Sequence, residues 1–156
     1  MTKSIHVLGI SGSLRAGSYN TRLLHAAERL MPEEMALEIF DLTPIPLYNE
    51  DVRREGYPPP AQALRERIAA ADAVLIATPE YNGSYTGVLK NALDWASRRP
   101  DPPLGGKPAA IMGASTGNFG TAKAQLHLRG VCSSLNMHVI NRPGVLVMRA
   151  QDKFDA

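Results

Sequence analysis

Apolar positions along the chain follow two spacings. Short, mostly continuous apolar runs with many β-branched residues occupy positions 5–10, 36–40, 73–78, 109–113 and 138–148. Runs of this length and composition predict strands buried inside a sheet. The last run is interrupted by Arg142-Pro143-Gly144, where a bend is expected. Between the runs the spacing becomes helical. Leu23, Leu24, Ala27, Leu30 and Met31 share one face of a helix starting near Tyr19. Ala61, Leu64, Ile68 and Ala71 do the same after Pro58-Pro59-Pro60, and proline suits the first turn of a helix. Val88, Leu89, Ala92, Leu93 and Ala96 mark a third face, and Leu128, Val131 and Leu135 part of a fourth.

Strands alternating with helices predict an α/β fold, a doubly wound parallel sheet with right-handed crossovers. Such sheets bind ligands at the carboxyl ends of their strands. That rule groups three loops rich in Gly, Ser, Thr and Asn: residues 11–20 after the first strand, 79–87 after the third and 114–120 after the fourth. Residues 43–60, rich in proline, read as one long loop, and long loops in small domains tend to be functional.

Composition narrows the class. A chain of 156 residues makes one domain, residues 1–156, large enough for a real core. A net charge of +2, with basic residues scattered rather than striped, gives no footprint for nucleic acid. No apolar run approaches the about 20 residues that span a bilayer, so no membrane partner is expected. A single cysteine excludes an internal disulfide and suits a reducing compartment. The first residues lack the pattern of a signal peptide, and a cytoplasmic protein is expected.

The first loop, SGSLRAGSYN, places hydroxyls, two glycines and Arg15 between strand and helix. Backbone N–H groups at a helix N-terminus, the helix dipole and short hydroxyls form an anion site. Arg15 adds a fixed bidentate positive charge. The turn is therefore expected to hold a phosphate. The alternative is an ordinary strand-to-helix turn with Ser18 or Asn20 as N-cap. The loop has neither the G-K-[ST] of a P-loop nor the G-x-G-x-x-G of a dinucleotide turn. A cysteine-dependent phosphatase would need an arginine six positions after its nucleophile, but Cys132 is followed there by His138. Cys132 falls inside a helical pattern and reads as a small buried hydrophobe. His6, His25, His127 and His138 show no metal-ligand spacing, and no metal site is expected.

The motifs together resemble a known family, the NAD(P)H-dependent FMN reductases, a flavodoxin-like group that includes bacterial quinone and chromate reductases. The matching residues are Gly12-Ser13-Leu14-Arg15 with Ser18 and Asn20, then Pro79-Glu80-Tyr81-Asn82, then Gly87 and Leu89-Lys90-Asn91-Ala92-Leu93-Asp94-Trp95. Gly106-Lys107-Pro108 and the Ser115-Thr116-Gly117 turn extend the match. The resemblance implies a five-stranded sheet ordered 2-1-3-4-5 and a bound FMN, with NADPH or NADH as hydride donor. It implies that Ser11, Ser13, Arg15, Ser18, Tyr19 and Asn20 bind the FMN phosphate side. Pro79, Glu80, Tyr81, Asn82 and Gly83 would lie along the isoalloxazine, mainly through backbone groups, and Ser115 and Gly117 would close the remaining side. A solvent-facing role is the alternative for Tyr81. Trp95, at helical spacing, reads as core or interface packing rather than flavin stacking.

Further expectations follow from the resemblance. The flavin passes hydride from the nucleotide to a small-molecule electron acceptor such as a quinone, free flavin, azo dye or oxidised metal ion, in ping-pong order. No side chain is expected to act as catalytic acid, base or nucleophile. A homodimer or dimer of dimers is expected, using Ile45-Pro46-Leu47-Tyr48 and residues 88–98. The alternative function is a flavodoxin-type electron carrier without its own NAD(P)H reductase activity. Such carriers are typically acidic, whereas this chain has a sequence pI near 8.8. Two departures stand out. Thr86 occupies a position where the family commonly has proline, which is expected to loosen the approach to the next helix. The chain ends in QDKFDA, without the helix that normally follows the fifth strand. A continuation past Ala156, or a partner chain, is expected to cover that face.

Overall fold

All five apolar runs lie side by side in one parallel sheet of the computed structural model, which describes residues 4–154. Asp155 and Ala156 of the QDKFDA tail lie outside the described residues. The strands are β1 (Ile5–Ser11), β2 (Met35–Phe40), β3 (Ala73–Ala77), β4 (Pro108–Ala114), β5 (His138–Val139) and β6 (Val145–Val147). The helices are α1 (Tyr19–Arg29), α2 (Glu50–Glu55), α3 (Pro59–Ala70), α4 (Gly87–Ala96) and α5 (Ala122–Ser134). The sheet order is β2-β1-β3-β4-β5, as expected, with β6 also paired to β4.

The run 138–148 is not one bent strand. Both β5 and β6 pair parallel with β4, β5 at Pro108 and Ala109 and β6 from Met112 to Ala114. They occupy one lane of the sheet, separated by an excursion over residues 140–144. Pro143 has no N–H for the ladder, so the strand breaks there.

The two faces of the sheet are unequal. Leu8 and Ile10 of β1, Val74 and Ile76 of β3 and Ile111 of β4 meet Leu64 and Ile68 of α3, Leu89 and Leu93 of α4 and Leu128 of α5 in the main core. The opposite face carries α1, whose Leu24 packs with Ala77 and Met112. Toward β6 that face opens: Leu75 and Ala110 are half-buried and Val145 is exposed. It is thus covered at its centre rather than left bare across the sheet.

The loop 43–60 contains α2, which sequence periodicity did not reveal because none of its residues is buried. Its signals are polar. Asn49 caps it by accepting from Asp51 N–H at 2.8 Å, with acidic residues in the first turn and arginines in the last. Tyr48, ahead of α2, donates to Glu50 and packs edge-on against the fully buried Trp95. Trp95 Nε1 donates to Pro46 O at 2.8 Å, so this indole is core packing that anchors the loop to α4.

Candidate functional site

The carboxyl ends of β1, β3 and β4 open into one cleft between the three loops. Most of the residues singled out in the sequence line it: Ser13, Arg15, Ser18, Tyr19, Asn20, Pro79, Glu80, Tyr81 and Ser115, joined by Ala114 and Thr116. Ser11, Asn82, Gly83 and Gly117 stand behind or beside this lining.

In the first loop the buried polar side chains are turned inward. Ser18 is the N-cap of α1, its Oγ accepting from Thr21 N–H at 3.2 Å. Ser11 Oγ shares a 2.8 Å hydrogen bond with Thr21 Oγ1. Asn20 is only 3% exposed, and both ends of its amide are engaged by Ala114: Nδ2 donates to the carbonyl at 3.0 Å, and Oδ1 accepts from the N–H at 2.9 Å. This pairing ties α1 to the end of β4. What faces the cleft is different. Among the described residues, the N–H groups of Tyr19 and Asn20 have no hydrogen-bond partner, and neither does the guanidinium of Arg15. Both conditions suit an anion at the N-terminus of α1.

The second loop is held by a tight turn. Tyr81 and Ser84 exchange backbone hydrogen bonds of 2.9 and 3.1 Å, with Asn82 and Gly83 both at positive φ (52° and 74°). That is the type I′ geometry for which Asn-Gly is the preferred pair. The turn holds out Tyr81, half of whose surface is exposed. Glu80 serves in another way. Its Oε2 accepts from Ala124 N–H at 3.0 Å in the first turn of α5, whose own N-cap, Thr121, makes no side-chain cap. The carboxylate therefore caps a distant helix and pins the loop to it. Ser84 Oγ adds a 3.2 Å contact to His127 Nδ1 on the same helix.

The third loop is clasped from behind by the end of the last apolar run and the two residues after it, Arg149 and Ala150, to which the sequence reading gave no role. Ser115 N–H donates to Val147 O, Ala150 N–H to Ser115 O and Arg149 N–H to Gly117 O, at 2.9–3.0 Å. Gly117 N–H donates to Ser115 Oγ at 3.1 Å. The first three contacts join main chain to main chain across 30 residues or more, so side-chain patterns carry no trace of them.

Cys132 is fully buried in α5, and burial pushes its thiol up to about 11, which removes it as a nucleophile. Among the described residues, no group of three His, Cys, Asp or Glu side chains is placed to hold a metal. No helix is long and apolar enough to cross a membrane among those residues.

A flavodoxin-like sheet whose first loop offers free N–H groups, an arginine and an open cleft defines a protein built to hold a phosphorylated ligand at its strand ends. The chain matches the NADPH-dependent FMN reductase family over residues 5–152 and belongs to it. It is 58% identical over 156 residues to an NAD(P)H-dependent FMN reductase of Pseudomonas aeruginosa, covering all of this chain and 84% of that one. It is 42% identical over 157 residues to a quinone reductase of Escherichia coli K12, covering 99% and 84% of the two chains. Among solved structures, the flavoenzyme FerB, an NAD(P)H:(acceptor) oxidoreductase from Paracoccus denitrificans, superposes with a TM-score of 0.87 at 35% identity, over 92% of this chain and 79% of that one. The protein is accordingly an oxidoreductase working with FMN and a reduced nicotinamide nucleotide.

Proposed function

We propose that the cleft holds FMN and passes reducing equivalents from NADPH or NADH to small acceptors, with quinones as the main class. The observation carrying this reading is the pairing of Arg15 with the unpartnered N–H groups of Tyr19 and Asn20 at one end of the cleft. Relatives named quinone reductase and 2-hydroxy-1,4-benzoquinone reductase, at 42% and 44% identity, support the choice of acceptor. When bound, FMN would supply the hydride-transfer chemistry between nucleotide and acceptor.

The chain's own residues bind and orient. Arg15, Ser13 and the first N–H groups of α1 hold the phosphate. Pro79, Glu80 and the turn at Asn82-Gly83 form a rigid wall for the ring, and Ser115 with Gly117 closes the other side. Tyr81 stands at the rim of the cleft, where it screens the ring from water. Leu14 on the first loop and Phe119 on the third are half-exposed or more. We propose a cytoplasmic homodimer, or a dimer of dimers, formed through Ile45-Pro46-Leu47-Tyr48 and residues 88–98, where Leu47 is exposed; light scattering showing only monomer would remove that part.

The test is spectroscopic. The purified protein is expected to release FMN on denaturation. Anaerobic NADPH or NADH is expected to bleach the flavin absorbance, and a benzoquinone to restore it. Bound flavin that neither nucleotide bleaches would favour a one-electron carrier instead.

A further inference from the structure

The two ligand loops meet at one buried hydroxyl. Thr86, the last residue of the second loop, is 3% exposed. Its Oγ1 donates to the carbonyl of Gly12, at the start of the first loop, at 2.6 Å, and accepts from Leu89 N–H at 3.3 Å as the N-cap of α4. Gly12 is held from the other side as well, its N–H donating to Ala77 O at 2.8 Å. The fit is close: a Cβ on Gly12 would come within 3.0 Å of Thr86 Oγ1 and 3.1 Å of Thr78 Oγ1. A side chain at Gly12 would therefore press on both hydroxyls, while the backbone conformation there is not one reserved for glycine. The expected loosening at Thr86 is reversed. Its backbone (φ −78°, ψ 153°) is one that proline could also adopt, but the hydroxyl adds a link between loops 74 residues apart.

We propose that Thr86 is a positioning residue that couples the phosphate loop to the ring loop. The inference rests on the cofactor reading above. A short hydrogen bond to a buried carbonyl is electrostatically strong, and leaving that carbonyl without a donor is costly. The Gly12 peptide and Thr86 therefore shift together. An anion that fixes residues 12–20 also fixes the end of residues 79–86 and the first turn of α4. The ring wall is ordered before the ring arrives, which lowers the entropy lost on binding.

Amide hydrogen exchange of the apo-protein, alone, with excess inorganic phosphate and with FMN, tests the coupling. In the wild type, phosphate is expected to slow exchange in residues 11–20 and also at the α4 end of the second loop, residues 84–87, which lies outside the cleft lining. In Thr86→Val, phosphate slows the first segment only, and FMN binds about 3- to 10-fold more weakly, the worth of ordering a short segment. Thr86→Ser restores both effects. Should Thr86→Val fail to fold, Thr86→Ala is read in the same way. A Thr86→Val or Thr86→Ala protein whose second loop still responds to phosphate like the wild type overturns the coupling, as does a serine variant that fails to restore it. If neither phosphate nor FMN slows exchange in residues 11–20 of the wild type, the cofactor reading fails and the coupling with it.

Discussion

Asn20 separates bracing the site from touching the ligand. Its amide makes two hydrogen bonds to the main chain of Ala114, which is 2% exposed. Asn20→Ala removes both bonds and leaves a buried N–H and a buried carbonyl without partners. Two net hydrogen bonds are worth roughly 1 kcal/mol each, and each orphaned group adds about 1–3 kcal/mol unless water reaches it. The cleft lies beside the site, so water is able to satisfy one of the two. The expected loss is about 3–5 kcal/mol out of a domain stability on the order of 5–15 kcal/mol. Urea unfolding of the apo-protein, followed by fluorescence of the single tryptophan, Trp95, measures it. Asn20→Asp is a useful companion. It can still accept from Ala114 N–H, but it turns a second oxygen toward the carbonyl, so it should lose comparable stability at neutral pH. An Asn20→Ala protein within about 0.5 kcal/mol of the wild type, a change ordinary for a surface site, with FMN affinity down a hundredfold, would refute the reasoning. It would make Asn20 a ligand and not a brace.

Arg15→Ala is expected to act the other way, leaving apo stability alone and weakening FMN. A charge-assisted bond to phosphate is worth about 1.5–3 kcal/mol, or roughly 10- to 150-fold, and the exposure of Arg15 places the effect toward the lower end; an unchanged dissociation constant in an FMN titration would show that the phosphate lies elsewhere. Glu50 gives a pH signature. Hydrogen bonds from Arg53 and from Tyr48 pull its carboxyl down from 4.5 to about 2, so the clasp is intact above about 4.5 and is lost as pH falls toward 2. Because Tyr48 packs on Trp95, indole fluorescence is expected to change over that window and to lose this component in Glu50→Gln; identical acid titrations of the two proteins would count against it.

The order of elements and the cleft were legible in the sequence because both rest on local patterns. The run 5–10 is apolar because β1 is buried between β2 and β3, and the helix after Ser18 starts where a hydroxyl cap is available. The asymmetry of the sheet followed from strand order, since α1 alone crosses to its own face. Features without a local pattern were lost. Helix α2 buries nothing, so it has no apolar stripe. The break at 140–144 was visible as Pro-Gly, but whether the chain bends or leaves the ladder depends on neighbours that no periodicity encodes. Glu80 was recognised as part of the site, yet its bond to Ala124 joins positions 44 residues apart. The Asn82-Gly83 pair did carry its turn signal in plain view.

The distribution of buried polar side chains explains how the loops around the cleft are held. Among the described residues these are Ser11, Ser18, Asn20, Thr78, Thr86, Thr121 and Gln125. All of them lie at the carboxyl-end rim of the sheet, in or beside the loops that follow β1, β3 and β4, while the rest of the interior is apolar. Burying a hydroxyl or amide is unfavourable unless it is hydrogen-bonded, and no buried side-chain nitrogen or oxygen among these residues lacks a partner. Their partners are mainly main-chain groups of the loops and of the helix and strand ends beside them: Thr21 N–H for Ser18, Ala114 for Asn20, Pro79 O for Thr78, Gly12 O for Thr86 and Val145 O for Gln125. Each such bond fixes a peptide group that would otherwise have several orientations, and a site held within a fraction of an ångström needs this support. The motif residues therefore divide by depth. The buried ones set the direction of the loop backbone; on the proposed reading the exposed ones, with the N–H groups so directed, are the ones that would meet the ligand. Substituting a buried member should appear first as lost stability and only through it as lost affinity, whereas substituting Arg15 should show the reverse order.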